Sequence, residues 1–371
     1  MPSPTDLSGL FAPLRIGQLV LPNRFVMPGM QRGFTRDGIP LPELAEYYAR
    51  RAAGGVGLII GESAAVDHCS ATAQPIAARL THKTRDGWAR CIEAVHEAGG
   101  HMLLQLWHEG ALRKDDDGLT LSPSGLGYAG FVHGRAASTV ELGELRDAFV
   151  ASALIAQRTG ADGVEVHAAH GYLLDQFLWG ATNGRQDGYG GPDIANRARL
   201  PAEIVAAIRH ACGPDFLISF RFSQWKEHDY AARIAATPDE LRILVTILRD
   251  AGVDLLHAST RRFWTPEWSD SRLSLAGWTR CLSGLPTITV GSVGLDRDVM
   301  ESFTCEGEAN PALASSLAKL ADRFARGEFD LVSIGRSLIS DPDWVAKVRD
   351  GAFDAIRPFR KSDIASLGWA G

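Results

Sequence analysis

Two histidines and a tyrosine, His167, His170 and Tyr172, lie within six residues of one another. They follow Val164–Val166, which is typical of the end of a buried strand. Imidazoles donate hydrogen bonds, and a phenol carries a proton that it can transfer. These residue types favour a site that holds an oxygen atom of a ligand and supplies a proton. The alternative is a pair of hydrogen-bonded core histidines. No third metal ligand is close in sequence, so we expect no metal here.

The strands that would position these groups are predicted from eight short apolar runs. Their Val, Ile, Leu and Phe residues occupy both alternating faces, as in parallel strands that are covered on both sides. The predicted strands are Arg24–Pro28, Val56–Gly61, Met102–Trp107, Gly163–His167, Phe216–Phe222, Val253–Ala258, Pro286–Val290 and Leu331–Gly335.

Amphipathic segments with helix start and stop signals lie between these runs; for example, Thr237 is a good N-cap and Gly252 a stop signal. The predicted helices are Glu43–Ala53, Arg85–Ala98, Glu144–Thr159, Arg197–Ala211, Pro238–Asp250, Arg272–Leu282, Ala312–Arg326 and Pro342–Arg349. This alternation predicts one (β/α)8 TIM barrel domain over residues 1–371. A doubly wound sheet with a second domain would need a linker, and no Ser/Pro-rich break provides one.

Composition narrows the class of protein. The chain has 371 residues, 45% of them hydrophobic, and a formal net charge of −6, which argues against nucleic acid or an anionic membrane as the main partner. Five scattered cysteines fit reduced thiols in a cytoplasmic protein. The first ten residues do not have the pattern of a signal peptide, and no apolar run approaches the length of a membrane span. We therefore expect a cytoplasmic protein that acts on a small molecule, either as a monomer or as a homo-oligomer.

Polar residues near the ends of the predicted strands should form the active face of such a barrel. Gly291–Gly294 and Gly335–Arg336 follow strands seven and eight, where barrels commonly hold phosphate. Glycines allow close backbone approach, and an arginine adds a bidentate charge. These residues predict a phosphorylated ligand, and the alternative is two tight turns with a surface arginine. The long irregular stretches Glu109–Thr139 and Arg261–Leu273 should cover the active site.

One glycine pattern is rejected as a nucleotide site. Residues 125–130 read Gly-Leu-Gly-Tyr-Ala-Gly and match G-x-G-x-x-G. They neither follow a buried strand nor open a helix, so the context that dinucleotide binding requires is missing. We interpret this segment as a loop.

Several segments together resemble the Old Yellow Enzyme family of FMN-dependent ene-reductases. The resemblance runs from about Leu10 to about Gly351, in the family's order. It is carried by Leu10–Leu14, Asn23–Arg24, Tyr47–Tyr48, Gln105–His108, His167–Phe177, Arg185–Gly191, Asn196–Arg197 and Gly335–Pro342.

The resemblance implies a set of FMN contacts. Gln105 should bind the pyrimidine edge of the flavin, and Arg221 should lie near its N1 and C2 carbonyl, where a guanidinium stabilises the reduced anion. A salt bridge inside the barrel is the alternative for Arg221. Backbone contacts to the ring system should come from Pro28, Gly29, Met30 and Ser63. The phosphate should be held by Gly291, Ser292, Val293, Gly294, Gly335 and Arg336.

The resemblance also implies a reaction. His167 and His170 should donate to the carbonyl or nitro oxygen of an unsaturated substrate, hydride should pass from reduced FMN N5 to the β-carbon, and Tyr172 should protonate the α-carbon. NADPH or NADH should reduce the flavin in the same pocket. Further substrate contacts are expected from Gln31, Trp107, Phe263 and Trp264, although Tyr172 and the three aromatic residues could alternatively be packing residues.

Two features depart from the family pattern. Gln31 replaces the usual threonine or cysteine, and Phe303–Ser315 looks enlarged. Iron–sulfur relatives need clustered cysteines and a longer chain, so we expect the short single-domain form.

Three other functions remain open. The chain could be an FMN barrel dehydrogenase or demethylase that oxidises an amine or a saturated carbonyl compound. It could be a flavin-free lyase or aldolase that acts on a phosphorylated substrate, although none of the eight predicted strands ends in a lysine. The third alternative is that the chain is a binding protein without catalytic activity.

Overall fold

Eight parallel strands form a closed barrel in the computed structural model, which describes residues 6–115, 117–127, 130–304, 308–309 and 311–367. The barrel strands are β1 (Phe25–Met27), β2 (Leu58–Ala65), β3 (His101–Trp107), β4 (Gly163–His170), β5 (Leu217–Lys226), β6 (Leu255–Ser259), β7 (Thr287–Val290) and β8 (Leu331–Ser333). Strand β1 pairs with both β2 and β8, which closes the sheet. The predicted (β/α)8 TIM barrel is thereby confirmed.

Helices between the strands pack on the outside of this barrel. They are α1 (Pro42–Ala53), α2 (Arg85–Glu97), α3 (Thr139–Arg158), α4 (Arg199–Cys212), α5 (Pro238–Ala251), α6 (Leu275–Ser283), α7 (Leu313–Ala325) and α8 (Trp344–Arg349). Most predicted bounds differ by one to three residues, but α3 begins five residues before the predicted Glu144. Ser138 and Glu141 form a capping box there, each side chain accepting the other residue's backbone N–H.

Shorter strands and helices lie in the loops and at the ends of the chain, outside the eight β/α units. The additional strands are Leu14–Ile16, Leu19–Leu21, Thr35–Arg36, Ile39–Pro40, Ala78–Arg79, Leu121–Ser122 and Arg135–Ala136. The additional helices are Leu173–Leu178, Ile194–Arg197, Val299–Thr304 and Arg336–Ser340, with 3-10 turns at Ser8–Phe11, Gly110–Leu112, Phe353–Ala355 and Lys361–Ala365. Tyr128 and Ala129 of the rejected glycine pattern lie outside the described residues, as do positions 305–307 and 310 of the stretch that looked enlarged.

The amino end of the barrel is closed by a small hairpin. Leu14–Ile16 pairs antiparallel with Leu19–Leu21, and Ile16 and Leu21 are buried. They pack in one apolar cluster with residues from the barrel strands: Val26, Leu58, Ile60, Leu103, Leu217, Leu255, Ile288 and Leu331. Burying each such side chain stabilises the fold by about 1.5–3 kcal/mol. The apolar end of the barrel interior therefore lies at the hairpin, and polar interior groups lie further along the strands.

Strand register brings the polar groups to one level. His167 of β4 is paired with Arg221 of β5, and Arg221 is paired with His257 of β6. Glu165 lies two residues before His167 on β4, and it is paired with Gln105 of β3 on one side and Ser219 of β5 on the other. Among the described helices, none combines the length and the apolar character needed to cross a membrane.

Candidate active site

A cavity of about 390 Å³ opens at the carboxyl ends of the barrel strands. This volume is in the range of small-molecule and cofactor sites. Sixteen of the residues predicted for the site line it: Pro28, Gly29, Met30, Gln31, Ser63, Gln105, Trp107, His167, His170, Tyr172, Arg221, Gly291, Ser292, Val293, Gly335 and Arg336. Residues separated by up to 308 positions in sequence are thus brought to one surface.

The His167–Tyr172 segment presents three rings to this cavity. The ring centroid of His167 lies 5.3 Å from that of His170 and 5.3 Å from that of Tyr172. His170 has a φ of 64°, which is uncommon for a residue with a side chain and is more typical of functional turns. Its backbone N–H donates to Ser223 Oγ at 3.0 Å. The turn that redirects the second imidazole is therefore held by the neighbouring strand.

A buried ion pair between Asp175 and Lys226 also stabilises the turn at His170–Gly171. Asp175 Oδ2 accepts the backbone N–H of Gly171 at 2.5 Å, and Oδ1 accepts from Lys226 Nζ at 2.7 Å. Both side chains are fully buried. Removing one partner of such a pair leaves an uncompensated buried charge. The pair thus fixes the start of the Leu173–Leu178 helix against β5.

Burial sets the protonation states of the three rings. It lowers the pKa of His167 to about 3, with repulsion from Arg221 as the next cause, and lowers the pKa of His170 well below its usual value. Both imidazoles are neutral at pH 7, and a neutral imidazole has one N–H to donate. Burial, together with the Glu227 and Glu109 carboxylates, raises the pKa of Tyr172 well above its usual value. The phenol therefore keeps its proton at pH 7.

One ring nitrogen of the histidine pair at the cavity has no hydrogen-bond partner in the described structure. His167 Nδ1 is buried and has no partner among the described residues. His170 Nε2 lies 2.8 Å from Ser259 Oγ. Trp107 packs edge-on against Tyr172, with 5.3 Å between centroids. An oxygen atom of a ligand between the rings would provide the partner that His167 lacks.

Arg221 and Gln105 bring a second set of donors. Arg221 donates to the Gly29 carbonyl and to Ser259 Oγ, both at 3.3 Å, and its Nε is buried without a partner in the described structure. Gln105 donates from Nε2 to Glu165 at 2.7 Å and accepts from Ser63 Oγ at 2.5 Å. The alternative of a direct salt bridge for Arg221 is not what the contacts show, because its hydrogen bonds go to neutral oxygens.

Glu165 is a buried carboxylate that the sequence analysis missed as a site residue. Its second oxygen lies 2.8 Å from His257 Nδ1 and accepts from Ser219 Oγ at 3.0 Å. Burial alone would raise its pKa, but the charges of His257 and Arg221 outweigh this and lower the pKa to about 2. Glu165 is therefore ionised and partly balances the guanidinium of Arg221. It also fixes the side chain of Gln105.

The loops after β7 and β8 form the cationic end of the cavity. Gly291 has a φ of 139°, and a Cβ there would lie 2.5 Å from the Thr260 carbonyl oxygen, so only glycine fits. Arg336 donates to the carbonyls of Arg297 at 2.7 Å and Asp298 at 3.0 Å, and burial lowers its pKa to about 10. The guanidinium remains charged at pH 7, as an anion site requires.

Arg261, Trp225 and Glu227 also line the cavity and were missed as site residues. Arg261 forms an ion pair with Asp298, lies 3.6 Å from the ring centroid of Tyr230, and has a buried Nε with no partner in the described chain. The available signal for Arg261 was its position in the loop after β6, in the Arg261–Leu273 stretch. No described residue of the other stretch, Glu109–Thr139, lines the cavity.

Three predicted site residues do not line the cavity. Phe263 is fully buried and packs edge-on against Trp264, with 5.1 Å between centroids. The ring of Trp264 lies beneath the Lys319 ammonium of α7, 4.4 Å from the ring centroid. Gly294 donates its N–H to Ser316 Oγ at 2.9 Å, so that donor is already used. Phe263, Trp264 and Gly294 therefore lie outside the lining of this cavity, and the roles predicted for them stay predictions.

The remaining residues fit an FMN. A phosphate would meet Arg336, the free Nε of Arg261 and the backbone of Gly291. The polar edge of a flavin would meet Gln105 and the unpartnered Nε of Arg221. At Gly29 an added Cβ would lie 2.9 Å from the amide group of Gln105, so a larger residue there would displace that side chain from its present position.

Comparison with known proteins agrees with this geometry. Residues 9–311 match the model of the NADH:flavin oxidoreductase / NADH oxidase family. The chain is 33% identical to an NADH oxidase of Thermoanaerobacter brockii over 98% of this chain and 54% of that protein. It is 29% identical to 12-oxophytodienoate reductase 7 of Oryza sativa subsp. japonica, over 92% and 87% of the two chains. The chain thus spans about half the length of the first of these relatives.

Solved structures of a reductase and of an Old Yellow Enzyme homologue also resemble this chain. A morphinone reductase in complex with tetrahydroNAD matches with a TM-score of 0.78 and 28% identity, over 96% of this chain and 94% of that one. An Old Yellow Enzyme homologue from Zymomonas mobilis matches with a TM-score of 0.78 and 26% identity, over 96% of each chain. The chain belongs to the Old Yellow Enzyme family of FMN-binding NADH:flavin oxidoreductases.

Proposed function

We propose that this chain is an NAD(P)H-dependent ene-reductase that reduces C=C bonds conjugated to a carbonyl or nitro group. The observation that carries the proposal is the convergence of two neutral imidazoles and one protonated phenol on the same cavity wall. Relatives that are named as a cinnamate reductase and a 12-oxophytodienoate reductase support the substrate class.

The histidine pair would hold the substrate oxygen. His167 and His170 each donate one N–H, and donors fixed before the reaction stabilise negative charge that develops on an oxygen. This withdraws electron density from the β-carbon. When bound, FMN supplies the hydride that adds at that carbon, and NADH or NADPH restores its reduced form.

Tyr172 would complete the addition by protonating the α-carbon. Burial raises its pKa well above the usual value for a phenol, so the hydroxyl is protonated at every physiological pH. A phenol is a weak acid, but transfer to a carbanion-like carbon is favourable because that carbon is much more basic. Trp107 packs against the ring of Tyr172 and limits its orientations.

Other residues of the cavity would hold the cofactor. Gln105 and Arg221 would bind the polar edge of the flavin, and the Arg221 charge would favour its reduced anion. Pro28, Gly29, Met30 and Ser63 would contact the ring, and Gly291, Ser292, Val293, Gly335 and Arg336 would surround the phosphate. Gln31 lies at the exposed edge and donates to Gln74 Oε1 at 3.2 Å.

The oxidative alternative, a dehydrogenase or demethylase that acts on an amine or a saturated carbonyl compound, is less well matched. Oxidation of an amine does not require two donors to one oxygen. An anaerobic experiment separates the two functions. Enzyme reduced with NADPH should be reoxidised by 2-cyclohexenone, with one equivalent of cyclohexanone formed. Failure of several enones and nitroalkenes to reoxidise the flavin, together with flavin reduction by an amine, would reverse the assignment.

A further inference from the structure

Three potential metal ligands meet at the face of the barrel opposite the cavity. His96 lies in the last turn of α2, His101 is the first residue of β3, and Asp162 directly precedes β4. One ligand atom from each lies within 4.8 Å of the others, and within the described chain this is the one such group of His, Cys, Asp and Glu side chains. The ends of three elements that lie away from the cavity therefore converge on a single point.

His101 has its ring orientation set by a backbone carbonyl. Its Nε2 lies 3.2 Å from the Val20 carbonyl oxygen, in the hairpin that closes the barrel. A carbonyl oxygen only accepts, so Nε2 carries a hydrogen and Nδ1 is directed at Asp162 Oδ1, 3.2 Å away. When the ring is protonated, Nδ1 donates to this carboxylate, and the two side chains form an ion pair. When the ring is neutral, the Nδ1 lone pair faces the carboxylate, and a bound cation would take the place of the proton and bond to both atoms.

Hydrogen bonds also orient the side chains of Asp162 and His96. Asp162 Oδ2 accepts the backbone N–H of Met102 at 2.7 Å, and His96 Nε2 lies 2.7 Å from the same oxygen. Outer hydrogen bonds of this kind orient the ligands in many metal sites. The side chains of His96, His101 and Asp162 are 37%, 27% and 16% exposed, so an ion can enter and water can complete its coordination.

We propose that His96, His101 and Asp162 form a binding site for a divalent transition metal, with zinc as the best match. Two imidazole nitrogens and one carboxylate oxygen suit zinc better than the oxygen-seeking calcium or magnesium. Tetrahedral zinc needs its ligand atoms about 3.3 Å apart. His96 and Asp162 would separate slightly from their 2.7 Å contact, which the half-exposed side chain of His96 permits.

The consequence of binding would be structural. Zinc would tie α2, β3 and β4 together at the amino end of the barrel, which in this fold serves stability rather than chemistry. Because a ligand of the folded state raises stability by mass action, zinc should raise the melting temperature. The site is independent of the proposed reaction, so either can fail without the other.

The test compares zinc binding by the FMN-loaded wild type with binding by two histidine variants. His96→Gln removes one exposed ligand, and His82→Gln removes an exposed histidine near the other end of α2. After removal of metal by a chelator, zinc chloride is titrated in competition with a chromophoric chelator. Wild type and His82→Gln should bind one more zinc than His96→Gln, or bind it at least about tenfold more tightly. Their melting temperatures should rise with zinc, and that of His96→Gln should rise less.

Equal zinc affinity and equal thermal shift in wild type and His96→Gln would overturn the site and leave an ordinary hydrogen-bonded cluster. If His96→Gln does not fold, crystals of the wild type grown with zinc chloride provide the decision. An anomalous scattering peak within bonding distance of His96, His101 and Asp162 supports the site. The absence of a peak there contradicts it.

Discussion

At the scale of single residues, burial gives the three rings of the cavity their protonation states. Burial lowers the pKa of His167 to about 3, so its ring is a neutral donor, and raises the pKa of Tyr172 well above its usual value, so the phenol keeps its proton. Residue type and spacing were enough to place these three rings together at the end of a strand. They were not enough to find Glu165, because its partners Gln105 and His257 lie 60 and 92 positions away in sequence.

The proton donor can be tested with Tyr172→Phe. The ring and its packing on Trp107 are kept and only the hydroxyl is lost, so FMN binding and reduction by NADPH should be unchanged. Reoxidation by an enone should slow by about 10²-fold, since loss of a positioned general acid typically costs this much or more. Anaerobic stopped-flow mixing of reduced enzyme with 2-cyclohexenone measures the rate.

The matched control is Tyr189→Phe, which removes a hydroxyl that contacts Glu203 at 3.1 Å outside the cavity. It should reoxidise at the wild-type rate. A Tyr172→Phe rate within twofold of the wild type would show that the proton comes from elsewhere.

At the scale of elements, the sequence predicted all eight barrel strands and all eight helices, since long buried runs and glycine stops are strong local signals. The hairpin Leu14–Leu21 was missed because three-residue strands are too short to show a period. Strands β4 and β5 extend beyond their predicted ends to His170 and Lys226. The buried ion pair between Lys226 and Asp175 connects the extended end of β5 to the Leu173–Leu178 helix. The two residues are 51 positions apart, so the sequence alone does not show this pair.

The ion pair predicts a large effect of Asp175→Asn. The change leaves the Lys226 charge buried without its partner, so the free energy of unfolding should fall by about 3–5 kcal/mol. Asp175 also accepts the N–H of Gly171 and so holds the turn that carries His170. A para-substituted phenol would bind through its oxygen to the histidine pair, so its binding should weaken as well. Urea unfolding and phenol titration measure the two effects.

An exposed ion pair provides the comparison. Asp147 pairs with Arg146 on the surface of α3, where the two side chains are 68% and 41% exposed. Asp147→Asn should change stability by less than about 1 kcal/mol, because exposed pairs contribute little. Similar losses in the two variants would mean that burial of the Lys226–Asp175 pair is not what makes it important.

At the scale of the whole molecule, buried neutral histidines couple folding to pH. His108 is buried beyond the end of β3, where its Nε2 lies 2.8 Å from Ser70 Oγ and its Nδ1 accepts the Gly110 N–H at 3.0 Å. Burial lowers its pKa to about 3, with the charges of His68 and Arg113 adding to the effect. Its pKa is thus lower in the folded than in the unfolded state. The stability it contributes is present above about pH 6.5 and is lost as pH falls towards 3.

His108→Gln should therefore flatten the pH dependence of stability. Between pH 6.5 and pH 4.5 the unfolding free energy of the wild type should fall more steeply than that of the variant, by about 1 kcal/mol per pH unit. Urea denaturation at several pH values measures the slopes. His82→Gln, which changes an exposed histidine, should keep the wild-type slope, and parallel curves for wild type and His108→Gln would refute the coupling.

The central claim is that His167 and His170 together hold the substrate oxygen, and the double variant His167→Ala/His170→Ala tests it most directly. The FMN-loaded variant should still be reduced by NADPH, because Arg221, Gln105 and the phosphate loops are intact. It should lose the long-wavelength absorption that a para-substituted phenol produces on binding near oxidised flavin. Enone reoxidation should slow by about 10²–10³-fold, as when donors to a developing oxyanion are removed. Unchanged phenol binding and unchanged enone turnover in this variant would contradict the account.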